Sequence, residues 1–184
     1  MAGIRLLRKA GLNPDKDVTV VLAGDVPTQL QALASNSIQI GILSPPTVII
    51  ARDKFKMNIL ASAMDEFSSL QNGLGVLEKS LKEQRDLAKR IVRARAKANR
   101  YFHATERGAS EVLAKYLKVD LSSALETYRL TRAAFTTDGI PSEAEVREHL
   151  MMDAQALKLP EPVSISKVFD FSLQQEVNSE LGLR

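Results

Sequence analysis

Apolar residues recur along the chain in two rhythms, and the change falls near residue 80. Before it they come in short continuous runs: Val18-Thr19-Val20-Val21-Leu22, Ile38-Gln39-Ile40-Gly41-Ile42-Leu43, residues 57–62 and Gly73-Leu74-Gly75-Val76-Leu77. Runs of that length, bounded by turn chemistry, predict strands, and the β-branched first of them suits one covered on both faces. Between them the spacing predicts short helices over 4–10 and 28–34, and from Pro46 to about Arg52, since a proline suits a first helical turn. Gly11 with Asn13-Pro14-Asp15, Gly24-Asp25-Val26-Pro27 and Ser35-Asn36-Ser37 supply the breaks. Strands alternating with short helices predict parallel α/β units, whose ligands sit at the carboxyl ends of strands. Those ends are Ala23 to Asp25 and Ser44 to Pro46.

Residues 65–72 are polar and interrupted, which suits a crossing segment. From about Glu83 onward the period becomes helical, with helices expected over 86–103, 108–117, 121–132, 142–157 and 171–181. Ser142 with Glu145 three residues on is a capping box, Asp120 precedes a helix, and Pro160 and Pro162 stop another. The expected fold class is α/β, helix-rich with a short mostly parallel sheet. Its expected parts are an α/β segment over 1–64, a hinge over 65–80 and a helical part over 81–184.

Composition removes several chemistries. The 184 residues contain no cysteine and two histidines, His103 and His149. Disulfides, thiolate metal sites and cysteine nucleophiles are therefore excluded, and a multi-histidine metal site is not expected. Phosphate-loop and nucleophile-elbow patterns are absent, and Gly73-Leu74-Gly75 lacks the third glycine of a dinucleotide fingerprint. No apolar run is long enough to span a bilayer, and charge interrupts the first nine residues before an export signal could form. Asp65 and Glu66 could act as an acid and base pair, but neighbours on a loop point apart, and a solvated hinge is preferred.

The net charge of +3 is concentrated. Eight basic residues against Glu83 and Asp86 give residues 82–100 a charge of +6, so the remainder carries −3. Within the predicted helix Arg85, Lys89, Arg93 and Lys97 form one stripe, opposed by Leu87, Ile91, Ala94, Ala98 and Phe102. The stripe suits phosphate binding or a solvated face. The solvated face is preferred, because no exposed aromatics are interleaved, with Tyr101 and Phe102 expected in the core.

Leu6-Leu7-Arg8-Lys9-Ala10-Gly11-Leu12-Asn13-Pro14-Asp15-Lys16-Asp17-Val18, then Gly24-Asp25, Leu30-Gln31-Ala32-Leu33 and Ile40-Gly41-Ile42-Leu43-Ser44-Pro45-Pro46, resemble a known family. It is the nitrate, sulfonate, taurine and thiamine-precursor class of ABC-transporter substrate-binding proteins. The similarity continues through Asn72 to Val76, Arg85 to Ala94, Val112 to Leu117 and Val168 to Ser172. The resemblance implies a periplasmic-binding-protein type II-like fold that is incomplete, beginning within the second lobe. It implies a periplasmic protein, without catalysis or cofactor, that captures a small anionic or heteroaromatic solute for an ABC permease. Gly24, Asp25, Ser44, Pro45, Pro46 and Asp65 are the expected ligand-binding residues. Helices that pack on a first lobe would be uncovered, so a homodimer is a further expected partner, and nucleic acid is not. The alternative is an interaction or sensory module acting through an exposed helical face.

Overall fold

The structure is a computed structural model that describes residues 2–65, 70 and 72–183. Among them are ten α-helices: α1 (Ala2–Lys9), α2 (Val26–Ala34), α3 (Thr47–Phe55), α4 (Glu78–Glu83), α5 (Arg85–Ala104), α6 (Glu106–Leu117), α7 (Leu121–Thr131), α8 (Glu143–Leu157), α9 (Ile165–Val168) and α10 (Ser172–Glu180). The expected helices are present within a few residues of their sequence bounds. Short α4 and α9, and 3-10 turns at Ala63–Asp65 and Arg132–Ala134, are additions.

The expected α/β class is corrected, because among the described residues there is no β-strand and hence no sheet. All four apolar runs read as strands are neither helix nor strand. A strand exists only as one side of a ladder, and a β-branched run cannot form one without a neighbour. Among the described residues no hydrogen bond engages the backbone of residues 18–23. In the second run the Ile42 amide donates to the Gln29 side chain, at 3.2 Å, instead of to a strand. Their side chains are correspondingly uncovered: Leu22 is 98% and Leu60 77% exposed.

The chain divides into two compact units, residues 1–67 with 110–131 and residues 68–109 with 132–184, the boundaries falling in part inside α6. In the first unit Ile49 and Ala51 of α3 and Ala124, Thr127 and Tyr128 of α7 are buried. The Arg52 guanidinium grips the Glu126 carboxylate with two bonds, at 2.5 and 2.9 Å. That pairing holds the Glu126 carboxyl below its usual range. Asp120 caps α7 as expected, accepting from the Ser123 amide at 2.9 Å.

In the second unit α8 opens on the expected capping box of Ser142 and Glu145 and buries Val146, Leu150 and Ala154, one stripe of an amphipathic helix. Val177, Gln174 and Asn178 are buried on α10. A chain of amides holds the segment before α8. Asn99 donates to the carbonyls of Thr136 and Thr137, Asn178 donates to the Asp138 carbonyl at 2.8 Å, and Gln174 donates to Asn178 at 2.9 Å. Gly139 sits beside them at φ +77°, where a Cβ would press on the Gln174 side chain, so the turn requires glycine.

α5 lies opposite to expectation. Arg85, Lys89 and Arg93 turn toward α10, where Glu176 takes Arg85 and Lys89 and Glu180 takes Lys89 and Arg93. Three of the four residues of the stripe therefore join an interhelical ion ladder, while the fourth, Lys97, is exposed. The apolar side faces out: Leu87, Ile91, Ala94 and Ala98 are exposed, and Tyr101 is 49% exposed instead of in the core. Phe102 does pack, against Phe135, at a centroid distance of 5.0 Å.

The ladder has a pH signature. Bonds from Lys89 and Arg85 lower the Glu176 carboxyl to about 2 from the ordinary 4.5. A carboxylate with a depressed folded-state pKa stabilises fully above its unfolded value, and that contribution disappears as pH falls toward the folded value. Thermal melts between pH 5 and about 2 are therefore expected to show the midpoint falling in the wild type. Glu176→Gln with Glu180→Gln should start lower and fall less over the same window.

Candidate functional site

The expected ligand residues lie in the first unit. Asp25 is the N-cap of α2, a short polar residue where orphan amides need an acceptor. Its carboxylate accepts from the Thr28 hydroxyl at 2.6 Å and the Thr28 amide at 3.0 Å. These two bonds, the hydroxyl first, lower its pKa and keep it ionised near neutrality. Gly24, at φ +80°, makes the turn into that cap. Both residues are exposed.

The second loop leads into α3. Ser44 accepts the Val48 amide on its carbonyl at 3.2 Å, leaving its exposed hydroxyl with no hydrogen bond among the described residues. Pro45 and Pro46 are joined by a cis peptide bond. Pro46 is the N-cap of α3 and has no side chain able to accept its first amides. Its carbonyl receives the amides of Ile49 and Ile50 at 3.0 and 3.1 Å.

Gln29, which sequence reasoning missed, joins the first loop to the run that precedes the second. From the first turn and a half of α2 its Nε2 donates to the Gly24 carbonyl at 3.2 Å, while its Oε1 accepts the Ile42 amide at 3.2 Å. A primary amide both donates and accepts, so one side chain bridges two backbone segments that no ladder joins. The sequence signal is slight: a glutamine one turn after an Asp cap. Behind the bridge Gly41 packs on Leu33, whose Cδ1 lies 2.8 Å from where a Cβ at Gly41 would be.

Asp65 stands apart. It ends the 3-10 turn Ala63–Asp65, is exposed, and its amide donates to Ser62 at 3.3 Å. Among the described residues no hydrogen bond or ion pair joins it to either loop. Glu66, paired with it in the hinge reading, lies outside the described residues, as do 67–69 and 71 of the crossing segment.

Gly24, Asp25 and Ser44 are exposed, and Pro45 and Pro46 are half-buried. An open depression of about 440 Å³ lies elsewhere, around Arg8, Gly11, Leu12, Asn13, Pro14 and Asp15 at the end of α1. Among the described residues no group of three or more His, Asp or Glu is placed to hold a metal ion. His103 Nε2 and His149 Nδ1 are buried without a hydrogen bond. Among the described residues no helix is long and apolar enough to cross a membrane. Compared with protein-family models, curated proteins and solved structures, the chain matches none.

Proposed function

We propose that the chain is a solute-binding component of an ABC importer, taking a small molecule on the Gly24–Asp25 and Ser44–Pro46 loops for delivery to a permease in the periplasm. The observation that supports this reading is the Gln29 bridge. It fixes an ionised acceptor, Asp25, relative to the segment that leads to a hydroxyl, Ser44, at the openings of two successive helices. The reading rests on these loops and on the resemblance of their sequence to solute-binding proteins, and it needs no sheet.

Asp25 also narrows the solute class. An ionised carboxylate at the mouth of the site repels a bare anion and favours a molecule that donates hydrogen bonds. Among the solutes implied by the resemblance, an amino-bearing heteroaromatic of the thiamine-precursor kind fits better than nitrate.

Isothermal titration of the chain with an aminopyrimidine, taurine and nitrate tests this. Saturable binding of the aminopyrimidine, with nitrate weakest, is the expected order. Gln29→Ala is expected to weaken that binding about ten-fold, because the Gly24 turn and the run leading to Ser44 lose the side chain that joins them. Asp25→Asn keeps the cap and removes the charge, so it should weaken an amino-bearing solute while leaving helix content unchanged. Absence of saturable binding to all three solutes would refute the reading.

A further inference from the structure

We infer that the outward face of α5 is a docking surface for an amphipathic helix whose apolar seam is flanked by acidic residues. Leu87, Ile91, Ala94, Ala98 and Tyr101 are spaced four, three, four and three residues apart, the alternation of a heptad seam. At about 100° per residue all five fall within about 40° of one line along the helix. All five are exposed, with Leu87 at 42% and Ile91 at 49%. The helix has 20 residues, about 30 Å of axis, so the seam runs through most of its length. The two alanines at its centre let another backbone approach closely, while Leu87 and Tyr101 supply bulk at the ends.

Charge chooses the partner. Arg90 and Lys97 lie about 60–80° to one side of the seam and Arg95 about 80° to the other. Among the described residues none of the three has a hydrogen bond or ion pair, whereas Arg85, Lys89 and Arg93 on the inward side are all engaged by α10. An apolar seam edged by unpaired cations is complementary to a helix carrying Glu or Asp beside its own seam. A second copy of this chain is disfavoured by the same charges: antiparallel pairing sets Arg90 against the other copy's Lys97 twice, and parallel pairing sets like against like. A lipid surface is disfavoured by shape, since a narrow seam with alanines at its centre offers a bilayer little apolar bulk. The inference is independent of the solute reading and stands even if no solute binds.

Fluorescence anisotropy of the full chain with two designed helical peptides of about 20 residues provides the test. Both carry Leu and Ala at seam positions, one with Glu and the other with Lys at the flanks. The Glu peptide is expected to bind saturably and the Lys peptide about ten-fold or more weakly. Ile91→Glu should abolish binding. Arg90→Glu with Lys97→Glu should reverse the preference between the peptides, a result that general loss of structure cannot produce. These side chains are exposed, so circular dichroism should be unchanged in every variant. Failure of the Glu peptide to bind, or equal binding of both peptides, overturns the proposal. So does chain that loads onto phosphatidylglycerol vesicles but takes neither peptide, or a concentration-dependent dimer in native mass spectrometry that Ile91→Glu dissolves.

Discussion

Asn178→Ala is expected to lower the unfolding free energy by about 2–4 kcal/mol, because it leaves one buried and one half-buried polar group without partners, each costing about 1–3 kcal/mol with the half-buried one at the low end. The Asn178 Nδ2 supplies the Asp138 carbonyl at 2.8 Å, and its Oδ1 receives Gln174 at 2.9 Å. Asn178 is buried, and Gln174 lies hard against Gly139, so the truncated site offers Gln174 little freedom to find a substitute. Urea denaturation followed by circular dichroism measures the loss. A change well under about 1 kcal/mol would mean that solvent reaches the vacated site and supplies both bonds.

Leu150→Ala is expected to cost about 2–5 kcal/mol, the range for removing a buried leucine side chain and leaving a partly collapsed cavity. Leu150 is 6% exposed and lies on the buried stripe of α8 with Val146 and Ala154. Its neighbour Met151 points to solvent at 54% exposure, so Met151→Ala should change stability by no more than about 0.5 kcal/mol. Equal losses in the two variants, read from the same denaturation curves, would contradict the packing of α8.

Local chemistry was legible in the sequence where it is satisfied locally. The Ser142 and Glu145 box, the Asp120 cap and the helices around them depend on residues three or four apart, and the chain forms them as read. What depends on a remote partner was not legible. The run at residues 18–22 has strand composition, yet its form is decided by whether another segment pairs with it, and among the described residues none hydrogen-bonds to its backbone. On α5 the 3.6-residue period separated the basic stripe from the apolar one correctly. It could not say which stripe faces inward, because that is set by Glu176 and Glu180, more than eighty residues away. The candidate site divides in the same way. Turn chemistry marked the Gly24–Asp25 and Ser44–Pro46 loops, whereas Gln29 became visible only once the Ile42 amide was found beside it.

The interleaving of the two units sets an order on the birth of the protein. The first unit cannot close when residue 67 emerges, for it still awaits residues 110–131, and Arg52 must wait 74 positions for Glu126. At about 5–20 residues per second, translation separates those partners by about 4–15 s. Throughout that interval the nascent chain presents the uncharged stretch 18–23 and half of a core, while the second unit is also incomplete and waits for α10. Quality-control factors at the ribosome are therefore expected to meet this chain in a long unfinished state, with a yield that depends on elongation speed as well as on final stability.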